Sequence, residues 1–240
     1  MAIRNLQKKI GLVADVISNA AAVASFTVQN GSGPSLYFYK KLLDSRRCAG
    51  SIETFLNDQN NAELCYCVLG LWGMDTRAAR LKDCSSFVRA IEEARPELVA
   101  LENTLNQGKD VEQEHLGAVY DSLHLMQTGS KLVSNSKFLH FLLPDHLMPM
   151  DGMNTLMFLY GNTSESKKKY REVIQFSSHV RSALSPLNIT WTERLDDGWN
   201  SNIPKIIDNA IMFVMSVQTR MAKSRTAVGA ESGSSGQEQL

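Results

Sequence analysis

Apolar residues recur at helical spacing along almost the whole chain, and this period limits the fold more than any other feature. The clearest stripe steps by three and four through Ile203, Ile206, Ile207, Ala210, Ile211, Val214 and Val217. Such spacing places the residues on one face of a helix. A similar stripe predicts a first helix over about residues 3–26. A weak strand-like alternation occurs at residues 188–192. The sequence therefore predicts an all-α fold.

Turn-forming residues divide the pattern into helices of ordinary length. We expect helices over residues 34–43, 64–72, 85–93, 96–105, 110–126, 136–142, 153–160, 165–184 and 203–221. No Pro- or Ser-rich linker and no solenoid-like repeat separates them, which indicates one multi-helix domain over residues 1–222. Residues 223–240 are rich in Gly, Ser and Gln and carry little apolar area, so they are predicted to be a disordered tail.

Charge and cysteine content narrow the class of protein. The 25 Lys and Arg residues balance 25 Asp and Glu residues, which excludes a histone-like nucleic-acid binder but permits a local basic face. Asp15 and Asn19 interrupt the N-terminal apolar stretch, so we expect neither a membrane span nor a signal peptide. The four cysteines have neither disulfide-scaffold density nor zinc-ligand spacing. We therefore expect a cytoplasmic protein without a metal or another cofactor.

One stretch carries candidate chemistry, since common nucleotide-binding and hydrolase motifs are missing from the chain. A predicted helix ends before a tight turn that contains Gly129 and Ser130, and Lys131 precedes the next helix. Amide groups at a helix start favour anions, so these residues predict a phosphate-binding site. Further on, Pro149-Met150-Asp151 places a carboxylate at the start of another helix.

The order of these parts resembles the helix-hairpin-helix DNA glycosylase superfamily, over about thirty residues from Gln127. Members have a Gly-rich hairpin with a lysine, an apolar helix, and a proline–aliphatic–aspartate tripeptide like Pro149-Met150-Asp151. Lys131 lies twenty residues before Asp151, near the interval of that family. The resemblance implies a glycosylase-like helical architecture that binds duplex DNA and excises a base, without a cofactor.

The same resemblance assigns residues to roles. Gly129, Ser130, Lys131 and Lys137 are the candidate DNA-binding residues, and the hairpin amides are expected to hold a phosphate. Asp151 is the candidate catalytic residue, which would stabilise positive charge on the sugar or orient a water molecule. The target base would be flipped out of the duplex into a pocket. Candidate aromatic residues for that pocket are Phe38, Tyr39, Tyr66 and Trp72.

Simpler interpretations stay open at each position. Asp151 would also serve as a helix cap, Gly129 as a helix stop, and Lys137 as a surface lysine. At the level of the whole protein, the alternative is a non-catalytic helical protein that binds nucleic acid or a protein partner. A further alternative is a partner protein whose N-terminal stripe docks on another helix. A basic surface at residues 128–137 beside a pocket containing Asp151 would favour the enzyme.

Overall fold

A computed structural model of the chain describes residues 3–30, 33–75, 80–107, 113–129, 131–187 and 189–231. The described chain is all-α and forms a single domain, as the sequence predicts. Its β-type pairing within those ranges is one isolated antiparallel bridge between Leu81 and Met126. Ser130 and residues 232–240 of the predicted tail lie outside the described residues.

Eleven α-helices make up the described domain. In chain order they are α1 (Leu6–Ser18), α2 (Ala20–Asn30), α3 (Pro34–Ala49), α4 (Ile52–Leu56), α5 (Gln59–Leu69), α6 (Cys84–Asn106), α7 (Gln113–Ser122), α8 (Leu132–Leu142), α9 (Met157–Tyr160), α10 (Lys167–Leu184) and α11 (Ile203–Glu231). Two π-helical turns, Gly70–Met74 after α5 and Gly152–Leu156 before α9, continue the neighbouring helices. Short 3₁₀ turns cover Ser185–Leu187 and Trp191–Glu193.

The apolar faces of these helices meet in one continuous core. The first helix packs against α10 and α11, so the two ends of the described chain share that core. Helix α3 packs against α5 and α8, and α6 packs against α5 and α7. Helix α8 is buried on nearly every side, which explains why Phe138, Leu139, Phe141 and Leu142 surround a histidine in the sequence.

The predicted first helix is wrong in one respect, because the chain bends by 87° between α1 and α2. Asn19 adopts an extended conformation, and its side-chain oxygen accepts hydrogen bonds from the amides of Ala21 and Ala22. The residue thus caps α2 and ends α1, while the apolar stripe continues across the bend. No single helix of the described chain is long and apolar enough to cross a membrane, although the bent α1–α2 pair passes that test together.

Other predicted boundaries also differ. Helix α3 continues to Ala49, and α11 continues through residues 223–231, which were predicted to belong to the tail. The helices expected over residues 85–93 and 96–105 are one helix, α6, with Pro96 inside it. The nitrogen of Pro96 has no hydrogen to donate to the Glu92 carbonyl. Both residues are exposed, so water can donate to that carbonyl instead. The helix expected to reach residue 126 ends at Ser122, because the following segment pairs with residues 80–82: the Gln127 amide donates to the Arg80 carbonyl at 2.8 Å.

A buried ion pair joins four of the helices. Arg46 on α3 contacts Glu102 on α6, and the two side chains are only 9% and 5% exposed. The Arg46 Nε also donates to the Leu142 carbonyl at the end of α8 at 2.8 Å. The second Glu102 oxygen accepts from the Ile52 amide at the start of α4 at 2.8 Å. Both charges therefore have the additional hydrogen bonds that a buried pair needs.

We predict that Glu102→Gln lowers the free energy of unfolding by about 3–5 kcal/mol, because it leaves the Arg46 charge buried and uncompensated. Chemical denaturation measures this change. Asp44→Asn on α3 is the matched control, since Asp44 pairs with Arg47 in an exposed site and should matter by less than about 1 kcal/mol. Equal effects of the two substitutions would contradict the role assigned to the buried pair.

Candidate functional site

A pocket of about 380 Å³ lies where five segments of the chain converge. Its wall is formed by the start of α3, by the π turn Gly70–Met74, by α8, by the loop that ends at Asp151, and by α11 with the residues just before it. Its size is typical of sites for small molecules. The lining includes both charged side chains and two tryptophans: Trp72, Lys137, Asp151, Trp199, Lys205 and Asp208.

Asp151 is both a helix cap and a pocket residue. Its Oδ1 accepts hydrogen bonds from the amides of Met153 at 2.8 Å and Asn154 at 2.9 Å, and from the Asn154 side chain at 3.1 Å. The predicted cap is therefore confirmed. All three bonds end on one oxygen, and Oδ2 accepts no hydrogen bond from any described residue. Capping thus leaves half of the carboxylate available to a ligand.

Lys137 is a pocket residue and not a surface lysine, since only 7% of it is exposed. Its Nζ donates to the Trp72 carbonyl at 2.9 Å and lies 5.9 Å from the centre of the Trp72 ring. That carbonyl is free because the helical conformation breaks at Trp72 and Gly73, where Gly73 has φ of 81°. Few residues other than glycine adopt this conformation, so the sequence itself creates the acceptor for Lys137.

Lys205 and Asp208 on α11 form a second charged element of the pocket. Lys205 Nζ donates to Asp208 Oδ2 at 2.5 Å, and both side chains are 6% exposed. The ammonium also lies 5.3 Å from the ring centre of Trp72 and 5.5 Å from that of Trp199. Burial raises the pKa of Asp208, against the effect of Lys205, and the charge of Asp151 raises it further. The carboxylates of Asp151 and Asp208 therefore interact electrostatically, and both line the same pocket.

Sequence reasoning missed Lys205 and Asp208. Both residues lie off the apolar stripe of the predicted helix, where charged side chains normally face water. Their burial, within a run from 204 to 211 that is buried throughout, is visible only in the structure. Among the proposed aromatic residues, Trp72 lines the pocket, whereas Trp199 was not among the candidates.

A buried hydrogen-bond network lies behind the pocket. His140 Nδ1 is 2.7 Å from the Leu147 carbonyl, which can only accept, so Nδ1 carries the proton. His140 Nε2 then accepts from the Tyr39 hydroxyl at 2.7 Å. The Tyr39 oxygen in turn accepts from the Asn202 side chain at 3.3 Å. Burial lowers the pKa of His140 to about 3, and this fits the neutral ring that the network requires.

The same network orients the first turn of α11. Asn202 Oδ1 accepts from the Lys205 amide at 2.9 Å and caps the helix that carries the charged pair. Leu147, at the other end of the network, precedes the loop that leads to Asp151. The Tyr39–His140 contact therefore links two walls of the pocket.

The predicted phosphate-binding hairpin lies apart from the pocket lining. Lys131 Nζ donates to the Asp121 carbonyl at 3.3 Å and lies 4.9 Å from the centre of the Tyr120 ring. The Leu132 amide at the start of α8 donates to the Glu165 carboxylate at 2.8 Å, so a protein anion already binds there. Gly129 is exposed, and an added Cβ would contact nothing within 4 Å. The DNA contacts of Gly129 and Lys131 stay predictions.

No protein-family model, curated protein or solved structure matches this chain. Within the described ranges, no three His, Cys, Asp or Glu side chains are grouped so that they could hold a metal ion. The case for a function therefore depends on the pocket and on the residues that line it.

We predict that His140 makes stability depend on pH. Below pH 6.5 the His140 side chain is protonated in the unfolded chain. In the folded protein, burial keeps the ring neutral until the pH falls to about 3, which is its lowered pKa. Its contribution is complete above pH 6.5 and is lost as the pH falls through this window, by at most about 1.4 kcal/mol per pH unit. Urea denaturation at several pH values should show a flatter dependence in His140→Gln than in the wild type. Exposed His179→Gln is the control and should keep the wild-type slope; an unchanged slope in His140→Gln would contradict the assignment.

Proposed function

We propose that this protein is a DNA glycosylase-like enzyme that holds an unpaired base in the pocket and cleaves its bond to the sugar. The observation that supports the proposal is the free Oδ2 of Asp151, which lines a pocket with two tryptophans. The motif that resembles the glycosylase superfamily supplies the same aspartate. The proposal thus combines the geometry of one residue with the order of motifs around it.

The role proposed for Asp151 follows from the positive charge that develops on the sugar when the base–sugar bond breaks. As the base leaves, the sugar becomes positive, and a fixed carboxylate in a partly dry site stabilises that charge strongly. Water then adds to the sugar carbon, and its proton balances the one that the departing base takes up. The cap bonds on Oδ1 hold Asp151 in place without neutralising it. Trp72 and Trp199 contribute apolar, polarisable surface to the pocket lining, which suits a planar base. A base reaches such a pocket only when it is outside the duplex stack.

Lys137 belongs to the pocket in this proposal. Its buried ammonium, together with Lys205, balances the two carboxylates of Asp151 and Asp208. The pocket wall thus carries two positive and two negative side chains. Contacts with the DNA backbone are assigned instead to Lys131, with Lys167 as its neighbour. The charges of these two lysines interact: Lys167 contributes to the lowered pKa of Lys131, although burial is the main cause.

We predict that Asp151→Asn lowers base release about 100- to 1,000-fold while the fold is retained, because Asn also caps helices. The measurement is release of bases from duplexes that carry varied damaged or mismatched bases. Asp83→Asn is the matched control, since Asp83 caps α6 through the Ser86 amide and lies outside the lining of this pocket. It should release bases at the wild-type rate.

The same assay separates the alternatives. Wild-type protein that binds duplex DNA at low salt but releases no base would favour the non-catalytic nucleic-acid-binding protein. Protein that does neither would favour a protein partner. If Asp151→Asn were silent while the wild type released a base, Asp151 would be a cap alone.

We predict opposite effects on duplex binding for two substitutions at the hairpin. Lys131→Glu should weaken binding and flatten its salt dependence, by about 0.9 in the log–log slope for each phosphate that the protein no longer neutralises. Glu165→Gln should strengthen binding, because it removes the carboxylate that already occupies the Leu132 amide. Exposed Lys8→Glu on α1 is the charge-matched control. Equal weakening by Lys8→Glu and Lys131→Glu would mean that the hairpin does not bind the duplex.

A further inference from the structure

The Lys205–Asp208 pair has hydrogen-bonding capacity left over. An ammonium has three N–H donors, and one of them goes to Asp208 Oδ2. Asp208 Oδ1 accepts no hydrogen bond from any described residue. The pair therefore presents a charged donor beside a charged acceptor, at the wall of the pocket.

The contact between Lys205 and Asp208 does not itself join different segments of the chain. Both residues lie on α11, three positions apart, so their contact joins no two segments of the chain. The Arg46–Glu102 pair, in contrast, connects four helices through its hydrogen bonds. Burying two charges costs free energy that a local pair recovers poorly. A role in ligand binding accounts for the presence of this pair better than a role in stability.

We propose that Lys205 and Asp208 read the base-pairing edge of a purine or pyrimidine in the pocket. The inference rests on the proposed function, because it takes the ligand to be a nucleobase. A pairing edge carries an N–H donor next to an acceptor, as in the N1–H and O6 of a 6-oxopurine. Asp208 accepts from the ring N–H, and Lys205 donates to the neighbouring oxygen.

Of the two edges of a 6-oxopurine that include O6, only the pairing edge fits this arrangement. The other presents N7 and O6, which are two acceptors, and a carboxylate there would face a lone pair. Charge-assisted hydrogen bonds are about twice as strong as neutral ones, so the mismatch is penalised strongly. Because the pairing edge is covered, the bound base has no partner strand.

The orientation also connects the pair to Asp151. In a purine, the nitrogen that carries the sugar lies across the ring system from N1. With N1 against α11, the sugar bond faces away from that helix. The loop that carries Asp151 forms another part of the same wall. In this arrangement Lys205 and Asp208 are specificity-determining residues, while the proposed function assigns Asp151 to the bond that breaks.

The test uses three nucleosides and the full chain, with tryptophan fluorescence as the readout, because two of the three tryptophans line the pocket. Inosine has a free pairing edge. 1-Methylinosine is uncharged and lacks the N1–H, and 2′-O-methylinosine carries its methyl group on the sugar. We expect inosine and 2′-O-methylinosine to bind alike and 1-methylinosine to bind about tenfold more weakly or worse.

A variant checks which residue reads the edge. Asp208→Asn should lose about tenfold in affinity for inosine and should abolish the difference between inosine and 1-methylinosine. Asp121→Asn is the matched control, since Asp121 pairs with Lys167 outside the pocket lining and should bind like the wild type. Circular dichroism shows whether each variant is folded, and the nucleoside comparison in the wild type needs no variant at all.

The outcomes separate this inference from the proposed function. Equal affinity for inosine and 1-methylinosine, or no binding of either, overturns the reading of the pairing edge even if a base is released from DNA. Binding of inosine that is lost with the N1-methyl group supports the inference even if no duplex releases a base. In that case the glycosylase proposal fails alone.

Discussion

The hydrogen bond between Tyr39 and His140 is the contact on which the pocket depends. The hydroxyl of Tyr39 connects α3 to α8 and, through Asn202, to the start of α11. The ring of the same tyrosine contacts Trp72 and Trp199, with centroids 4.9 and 6.0 Å away. The Tyr39 side chain therefore contacts both tryptophans and links the start of α11 to α8, which precedes the loop that carries Asp151. A pocket assembled from segments far apart in sequence needs such a common support, because no single helix holds its residues in register.

Departures from regular helix supply the remaining polar groups. The π turn Gly70–Met74 frees the Trp72 carbonyl for Lys137, and the π turn Gly152–Leu156 begins at the Asp151 cap. Such turns are rare and often occur at functional sites. Here each one borders the pocket, so the irregular backbone and the charged side chains coincide. Regular helices alone would have engaged these carbonyls in their own hydrogen bonds, and the Trp72 carbonyl would not have been available to Lys137.

The sequence predicted most of the helices and the Asp151 cap because both depend on local rules, but it did not predict the short helix α4. An apolar period of three and four residues sets a helix, and an aspartate before a helix start caps it. The bend at Asn19 and the continuity of α6 through Pro96 depend instead on side-chain capping and on exposure, which the period does not encode. The pocket was also beyond local rules. Lys205 and Asp208 are polar residues in a helix, and only packing on every side of α11 makes them buried.

The charges of the pocket explain why a hydrogen-bonding ligand suits it better than an apolar one. Burial and the nearby Asp151 raise the pKa of Asp208, while Lys205 and Lys137 act against that shift. A ligand that expels water increases the desolvation of Asp208 and favours its protonated form. A ligand that donates an N–H bond favours the charged form and offsets this effect. An apolar ligand of equal size provides no such compensation, so on this argument a ligand that donates an N–H bond to Asp208 should bind better than an apolar one.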